Sequence, residues 1–461
     1  MTRTFGFILV MAGMLGIMSV SRGWAGEAPA GSQVVGLRDC IEKALATAPE
    51  LGEAEADIEL TTAKLDEAKA HRYPQIDILG LAGPVPQARA TPGFSPQTSP
   101  DNNSRLDHWT WFTRGDATLV QPLYTFGKIS ENMKAASHGI EVDRAKKEQR
   151  RNEIALKVKE YYYGVLLARE LKELVMEVQE DLAKARKSAR KLLDKGSANV
   201  DETDIFKLES YEGEAKNYLE EAKKGEELAL AALRTRVGLP ASAPLDIATE
   251  RLVPEEVKGP DLSAYLDISL ARRPEYRQIR EGLKAREALV EAAKAGYYPD
   301  IFAGGLLSGA YAEKRDRASN PWIQDEFNHL WAGVALGIKW HLDFGITRAK
   351  VAEEVAQYSR LQSTSQFADA NIPLQIRKCY LDLQAAEKSI VTSKEAYTSS
   401  KKWTVASLAN YDFGVGPSKD IFDALQQYAK MRAAYFQAIY NQKMALANLS
   451  YATGEEPAAG K

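Results

Sequence analysis

Two stretches of the chain change their hydrophobic period in the same way. Val334, Leu336, Ile338, Trp340 and Leu342 alternate with Ala335, Gly337, Lys339 and His341, the period of two that predicts a strand with one apolar face. Beyond Phe344-Gly345 the alternation stops and a helical run continues to Gly414. The earlier copy, residues 109–124, alternates less cleanly, with Leu119 and Leu123 interleaving with Val120 and Tyr124. It gives way after Phe126-Gly127 to a run in which Ile154, Val158, Tyr161, Val165, Ala168 and Leu171, and later Leu182, Ala185, Ala189 and Leu192, advance by threes and fours. Spacing close to 3.5 predicts a coiled-coil seam, and the Lys, Glu, Arg and Gln between read as a solvated face. Between residues 127 and 196 such a helix is about 100 Å long at 1.5 Å per residue, far beyond a globular helix. Pro373, inside the second long run, predicts a kink rather than a break.

Each change of period has a shorter strand candidate upstream, residues 76–83 and 301–307, each following a Tyr-Pro pair (Tyr73-Pro74, Tyr298-Pro299) that a helix cannot continue through. The stretches between the paired strands, 84–108 and 310–328, predict loops; the first contains Pro84, Pro86, Pro92, Pro96 and Pro100. Pro49 to Pro74 and Pro274 to Pro299 both span 25 positions, so one offset of 225 superposes Pro49-Glu50 on Pro274-Glu275 and Tyr73-Pro74 on Tyr298-Pro299. An offset of 216 then matches Asp204-Ile205-Phe206 to Asp420-Ile421-Phe422 and Gly238 to Gly454. The long runs break at Gly196-Ser197-Ala198-Asn199 and at Gly414-Val415-Gly416-Pro417, and a helix returns from each. The chain is therefore read as two repeats: 26–239 and 262–461, the latter including a C-terminal tail, joined by a proline-punctuated linker or equatorial segment at 240–261.

Residues 1–25, with Arg3 ahead of an apolar run and the small residues of Gly23-Trp24-Ala25, read as a signal peptide. The run is shorter than the eighteen or so apolar residues of a spanning helix. No later segment supplies one, so any contact of the mature chain with a membrane falls to strands or to a surface. Trp109, Trp111, Trp322, Trp331 and Trp340 cluster in the strand regions, with only Trp403 elsewhere in the mature chain, as expected for rings at the boundaries of a membrane barrel. The formal charge is −3 and becomes −5 without Arg3 and Arg22, which argues against nucleic acid and against a polybasic membrane patch. Cys40 and Cys379 have no metal or redox spacing, and Leu37-Arg38-Asp39 excludes a lipoprotein cysteine. Two buried thiols are the preferred reading; a disulfide is allowed by their equal depth along the helices but not required.

Helix, strand, loop, strand, long helix, tight turn and returning helix, done twice after a signal peptide, resembles the TolC-like outer-membrane efflux protein family over nearly the whole mature chain. The marks that carry it are Ala-x-x-Pro-Glu and Tyr-Pro around the first helix of each half, Gln121-Pro122-Leu123-Tyr124-Thr125-Phe126-Gly127, and Tyr411-Asp412-Phe413-Gly414 followed by Asp420-Ile421-Phe422-Asp423. The resemblance implies an α+β membrane protein: a homotrimer whose chains each give four strands to a 12-stranded β-barrel in outer-membrane lipid, continuing into a long α-helical coiled-coil periplasmic tunnel. It also implies partners, a periplasmic adaptor (membrane fusion) protein and an inner-membrane pump, and it implies an acidic ring at the tunnel entrance. That ring carries over to Asp420 and Asp423; for Asp420 a helix-capping role is the rival reading. In the best-known member of the family a tyrosine and an arginine at this turn hold the entrance shut. Tyr411 fits the first, but Gly416 stands where the arginine would be. Adaptor docking carries over to the tip residues Gly196, Ala198, Gly414 and Gly416.

The function so implied is a passive outer-membrane exit duct of a tripartite efflux system, exporting small molecules from a Gram-negative cell. Alternatives are the outer-membrane component of a type I protein secretion system and, from another class, a soluble periplasmic coiled-coil scaffold. An enzyme is not indicated: His71, His108, His138, His329 and His341 form no metal spacing, and no nucleophile elbow, phosphate loop or H-E-x-x-H motif is present. No cofactor is expected.

Overall fold

The computed structural model describes residues 33–88, 104–196, 200–249, 251–257, 259–317, 322, 325–413 and 415–455; the expected signal peptide lies outside them. The first half runs β1 (Gln33–Val35), α1 (Leu37–Thr47), α2 (Pro49–Ala70), β2 (Gln75–Ala88), β3 (Ser104–Tyr124), α3 (Lys128–Asp194) and α4 (Glu202–Arg236). After β4 (Leu245–Ile247) the order recurs as α5 (Leu262–Arg272), α6 (Pro274–Lys294), β5 (Asp300–Ala312), β6 (His329–Lys339), α7 (Ile346–Asp412) and α8 (Ser418–Thr453). Pro49 and Pro274 open α2 and α6, where the missing N–H would have had no helical acceptor. The helices α3 and α7 have 67 residues each, about 100 Å at 1.5 Å per residue, and α7 runs through Pro373 as one helix.

The four long strands form one antiparallel sheet in the order β2-β3-β5-β6. Two strands are longer than the prolines suggested: β2 continues through Pro84 and Pro86 to Ala88, and β3 starts at Ser104. The reason is position. β2 is an edge strand, and an edge tolerates residues without a ladder donor; Pro122, in the inner strand β3, falls where the β3–β5 register shifts.

Strand meets helix at two built joints. Gly127 (φ 100°) and Gly345 (φ 155°) take backbone conformations that an L side chain would strain. At the first joint Lys128 Nζ donates to Asp300 Oδ2 at 2.7 Å, tying the start of α3 to the start of β5. At the second, Asp343 accepts from the Thr347 hydroxyl at 2.6 Å, the Thr347 N–H at 2.8 Å and the Gly345 N–H at 3.2 Å. Those donors hold its carboxyl at about 2.

Midway along α3 the buried set departs from the expected seam. Tyr162 rather than Tyr161 is buried, and Val158, Tyr162, Leu166, Glu170 and Leu174 form a second buried face at four-residue spacing. The cause is a cover that periodicity could not reveal. Described residues of the 240–261 segment form a strap: β4 pairs in parallel with β1, and both pack with α1 over α3. Leu252 N–H donates to Glu170 Oε1 at 3.1 Å. Gln442 of α8 accepts from Glu255 N–H at 3.1 Å and donates to Glu255 carbonyl at 2.9 Å, so the strap bridges the two halves. Cys40 and Cys379 are buried free thiols in separate apolar clusters, and burial pushes the Cys40 thiol up to about 11.

Glu170 is only 3% exposed, and its Oε2 has no hydrogen-bond partner. Burial raises its carboxyl above the ordinary range, against the opposing Leu252 N–H. A carboxyl raised on folding favours the fold when protonated and counts against it once pH climbs through the folded value. Glu170→Gln keeps the acceptor for Leu252 without the charge. Its thermal midpoint is expected to exceed that of the unaltered protein at pH 7, and the gap to close as pH falls towards 4. Circular dichroism melts at several pH values check this; a lower midpoint at pH 7 would contradict it.

Candidate functional site

Directly paired residues of a sheet share a face, so the register sorts the strands into two surfaces. One carries Ile76 and Ile78 of β2, Trp109, Trp111, Ala117 and Leu119 of β3, Leu307 and Tyr311 of β5, and Leu330, Val334, Leu336 and Ile338 of β6. The large side chains there are mostly exposed, Val334 by 94%. An apolar surface of this extent marks contact with another apolar phase. Exposed aromatics bound it at both ends: Trp109, Trp111 and Tyr311 on one side, and Tyr73, Tyr124, Tyr297, Tyr298, Trp340 and Phe344 at the joints. Trp111 to Leu123 is about 40 Å of strand at 3.4 Å per residue. Tilted by about 40°, this spans roughly 30 Å, close to a bilayer core. The opposite surface holds the charged and polar residues Asp77, Arg114, Asp116, Thr118, Ser308, His329 and Lys339, interspersed with Leu79, Leu81 and Leu306. Trp331, paired with Ser308, lies on that second side, so it does not belong to the aromatics that bound the apolar surface; Trp322, which is exposed, lies in the β5–β6 connection.

At the far end of the helices, the α3–α4 turn passes through Gly196 at φ 71° and re-enters helix at Asp201. Asp201 accepts from Asp204 N–H at 3.0 Å, and Asp204 accepts from Asp201 N–H at 3.3 Å, a reciprocal cap. The α7–α8 turn lacks that cap. Pro417 occupies the place of Asp201 and has neither a capping side chain nor an N–H. Asp420, the counterpart of Asp204, therefore has no N-cap N–H to accept from. Asp420 is exposed and Asp423, one turn on, is half-buried. Neither carboxylate has a hydrogen bond or ion pair among the described residues. Of the other tip residues, Gly416 is half-buried beside Asn410, whereas Ala198 and Gly414 lie outside the described residues.

Tyr411 is 1% exposed and sits among Leu182, Ala185, Ile205, Leu208 and Ile421. Its hydroxyl has no partner, and burial, with the nearby Asp204 and Asp412 carboxylates, pushes it up to about 12. It fills the space between the two helical hairpins by shape alone. The polar tie between them stands farther from the tips, at residues the sequence reading missed. Tyr428 of α8 donates to Glu177 of α3 at 2.8 Å, and Arg432 donates to Glu177 and, at 2.8 Å, to the Tyr428 oxygen. Burial acts to raise the Glu177 carboxyl, but Tyr428 and Arg432 outweigh it and hold it below the ordinary range. Tyr428 and Arg432 lie four apart, on one helical face; the sequence offered that much and no sign of the glutamate 251 positions away.

Among the described residues no helix is long and apolar enough to cross a membrane, and no group of acidic, His or Cys side chains is arranged to hold a metal ion. The model of the family described as outer membrane efflux protein matches residues 40–204 and 265–455. Protein CyaE of Bordetella pertussis is 23% identical over 405 residues, 86% of this chain and 79% of that protein. The alkaline protease secretion protein AprF of Pseudomonas aeruginosa is 22% identical over 345 residues, 73% of this chain and 68% of that protein. Among solved structures, CusC aligns with a TM-score of 0.76 at 16% identity, covering 94% of this chain and 96% of that one. The outer membrane protein VceC of Vibrio cholerae aligns with a TM-score of 0.73 at 15% identity, covering 91% and 96%. The family match spans both halves, the strands that carry the lipid-like face and the long helices below them; the chain belongs to the outer membrane efflux protein family, TolC-like channels of the outer membrane with a long periplasmic portion.

Proposed function

We propose that three copies of this chain form a passive exit duct: a 12-stranded barrel in the outer membrane continuing into a helical periplasmic tunnel. The observation that carries this reading is a sheet with an apolar outer surface, an opposite surface that mixes charged side chains with Leu79, Leu81, Leu306 and Trp331, and two open edges, β2 and β6. Edge peptide groups have no water to bond in lipid, so the edges must meet those of other copies. The helices support the same assembly: Phe367, Leu374 and Leu381 of α7 are exposed at seven-residue spacing, and Tyr218 and Leu228 are exposed on α4. Both are apolar surfaces that a neighbouring copy would cover.

In this duct the α7–α8 tips surround the entrance, with Asp420 and Asp423 of three chains as an acidic ring that favours cations, and Tyr411 packing the turn that sets its width. The tips, with Gly196 and Gly416, dock a periplasmic adaptor that couples the duct to an energised inner-membrane pump. Efflux of small molecules is the leading reading of the cargo, supported by the family description. Protein export is the second, supported by the name of AprF as an alkaline protease secretion protein. Deletion of the gene separates them: efflux predicts greater susceptibility to small toxic compounds with unchanged culture-supernatant proteins, and secretion predicts the reverse. A mature chain recovered as a soluble monomer, without a heat-sensitive oligomer on gels, would end the duct reading.

Three expectations concern the entrance. In planar bilayers, Asp420→Asn with Asp423→Asn lowers cation selectivity; unchanged selectivity removes the ring. Tyr411→Phe changes stability by no more than about 1 kcal/mol, because the hydroxyl it removes has no partner, whereas Tyr411→Ala costs about 3–5 kcal/mol through the cavity it leaves; denaturant melts measure both. Glu177→Gln loosens α3 from α8 and raises single-channel conductance. Because the Glu177 carboxyl is lowered on folding, its tie is intact above the ordinary glutamate value of 4.5 and is lost as pH falls below it. Acid should therefore open the unaltered channel more than the variant.

A further inference from the structure

Where strands give way to helices, the wall of the molecule is hollowed on one side by a cavity of about 1110 Å³, ample for a drug-sized molecule. Its upper lining includes Val120, Pro122, Phe302 and Lys339, which share the side of the sheet that carries Asp77 and Asp116. Its lower lining comes from all four adjoining helices, through Lys64 of α2, Asn132 of α3, Arg286 of α6 and Leu361 of α7. These helices pack in the order α2-α3-α6-α7, the order of the strands they adjoin. Sheet and helices therefore make one wall, and the cavity opens on the side turned from the apolar surface.

Small residues make the hollow possible. Ala135, Ala136 and Gly139 of α3 line it together with Gly282 and Ala285 of α6. A Cβ at 139 would come within 3.1 Å of the Thr61 side chain, and one at 282 within 3.1 Å of Leu361, so neighbouring side chains close over both glycines. At the upper end the Phe302 ring lies over Gly337, where a Cβ would collide with it. Val120, Ile129 and Leu289 complete an apolar lining.

Five cations stand in this lining: Lys64, Lys128, Lys146, Arg286 and Lys339. Three of them are committed. Lys128 Nζ donates to both oxygens of Asp300, at 2.7 and 3.0 Å, Lys146 donates to Asp143 at 2.8 Å, and Arg286 lies 3.5 Å from Glu354. Asp143 also accepts from the Thr61 hydroxyl at 2.6 Å. Asp300 is the register partner of Lys339, yet its carboxylate is taken by Lys128. Lys339 is left exposed with no hydrogen bond or ion pair among the described residues, and so is Lys64. Of the lining carboxylates only Glu67, three positions from Lys64, is likewise uncommitted among the described residues. Roughly 20 Å of helix rise separates the levels of Lys339 and Lys64, counted along α3 from Lys128 to Asp143, the residue that Thr61 touches.

We propose that this hollow is a lumenal station for amphipathic anions: drug-sized molecules with a carboxylate or sulfonate on an apolar body, which Lys64 and Lys339 hold against the apolar lining as they leave. The proposal rests on the duct reading, which turns this side of the wall to the lumen, and adds to it a class of cargo. An apolar body gains by covering Phe302, Val120 and Leu289, and its anionic group meets a lysine that no protein carboxylate has neutralised. A lysine ammonium is a hydrated, flexible point charge, so each contact is loose. That suits a conduit, where binding must favour entry and still permit exit. A trimer would carry three such stations around one axis, at the opposite end of the tunnel from Asp420 and Asp423.

The test is block of single-channel current in planar bilayers by naphthalene-2-sulfonate, with inorganic sulfate as the anion that lacks an apolar body. The naphthalene compound should reach half-block at a concentration severalfold below that of sulfate. Lys64→Gln with Lys339→Gln should raise its half-blocking concentration severalfold, and Lys64→Arg with Lys339→Arg should leave it low. Lys134→Gln with Lys284→Gln is the control, because those lysines line a separate hollow on another face of α3 and α6; it should leave the block unchanged. A heat-sensitive oligomer on gels shows that each variant has assembled. Block that ignores the Lys64 and Lys339 substitutions, that responds equally to the control pair, or that sulfate matches overturns the station while leaving the duct intact. Failure of the duct reading looks different: the unaltered protein then gives neither a heat-sensitive oligomer nor channels, and the station falls with it.

Discussion

Peptide groups in hydrocarbon have no water to fall back on, and that constraint shapes this chain from the strands downward. Four strands satisfy one another's inner N–H and C=O groups and leave β2 and β6 open. Such a sheet is stable in lipid only when its edges meet other edges. The apolar surface of Ile76, Trp111, Leu307 and Val334 would be a liability on a soluble monomer, and the same residues are what a barrel wall requires. Repetition of the order in both halves follows the same logic, because each long helix must leave the sheet through a joint. Gly127 and Gly345 supply the backbone freedom, while Lys128-Asp300 and Asp343-Thr347 fasten the two joints by different chemistry.

Below the membrane, water is available and the controlling terms become burial and charge. Where the strap crosses α3 it turns a one-faced coiled-coil helix into one buried on two faces, and it places Glu170 in a site that burial makes unfavourable for a carboxylate. Glu177, two turns further, has the opposite outcome because Tyr428 and Arg432 donate to it. Two glutamates on one helix thus respond to acid in opposite directions. The tips show a similar divergence between repeats: Asp204 completes a cap, whereas Pro417 has no N–H to offer Asp420 and leaves its carboxylate exposed.

Periodicity was enough to find the long helices and the strands after Trp109 and Trp331, since both depend on local alternation of apolar and polar positions. It misjudged residues 84–88 and 104–108, because whether a proline ends a strand depends on whether that strand lies at an edge. It chose Tyr161 where Tyr162 is buried, because a second covering layer leaves no mark on the seam. Trp331 counted as one of the boundary aromatics until the register paired it with Ser308. The acidic pair Asp420 and Asp423 was legible only through the family resemblance, by its spacing after Gly414. The Glu177-Tyr428-Arg432 tie was not, since nothing local connects positions so far apart.

What the sequence determined by itself is the set of elements and their repetition, because hydrophobic period, proline and glycine act within a few residues of where they stand. What only the tertiary structure decided is which surfaces those elements present to one another: the strand order, the side on which Trp331 and His329 lie, the strap over α3, and the partners of each buried charge. Those are fixed by strand register and packing between residues distant in the chain, and a side chain's protonation and exposure follow from its neighbours in space rather than in sequence.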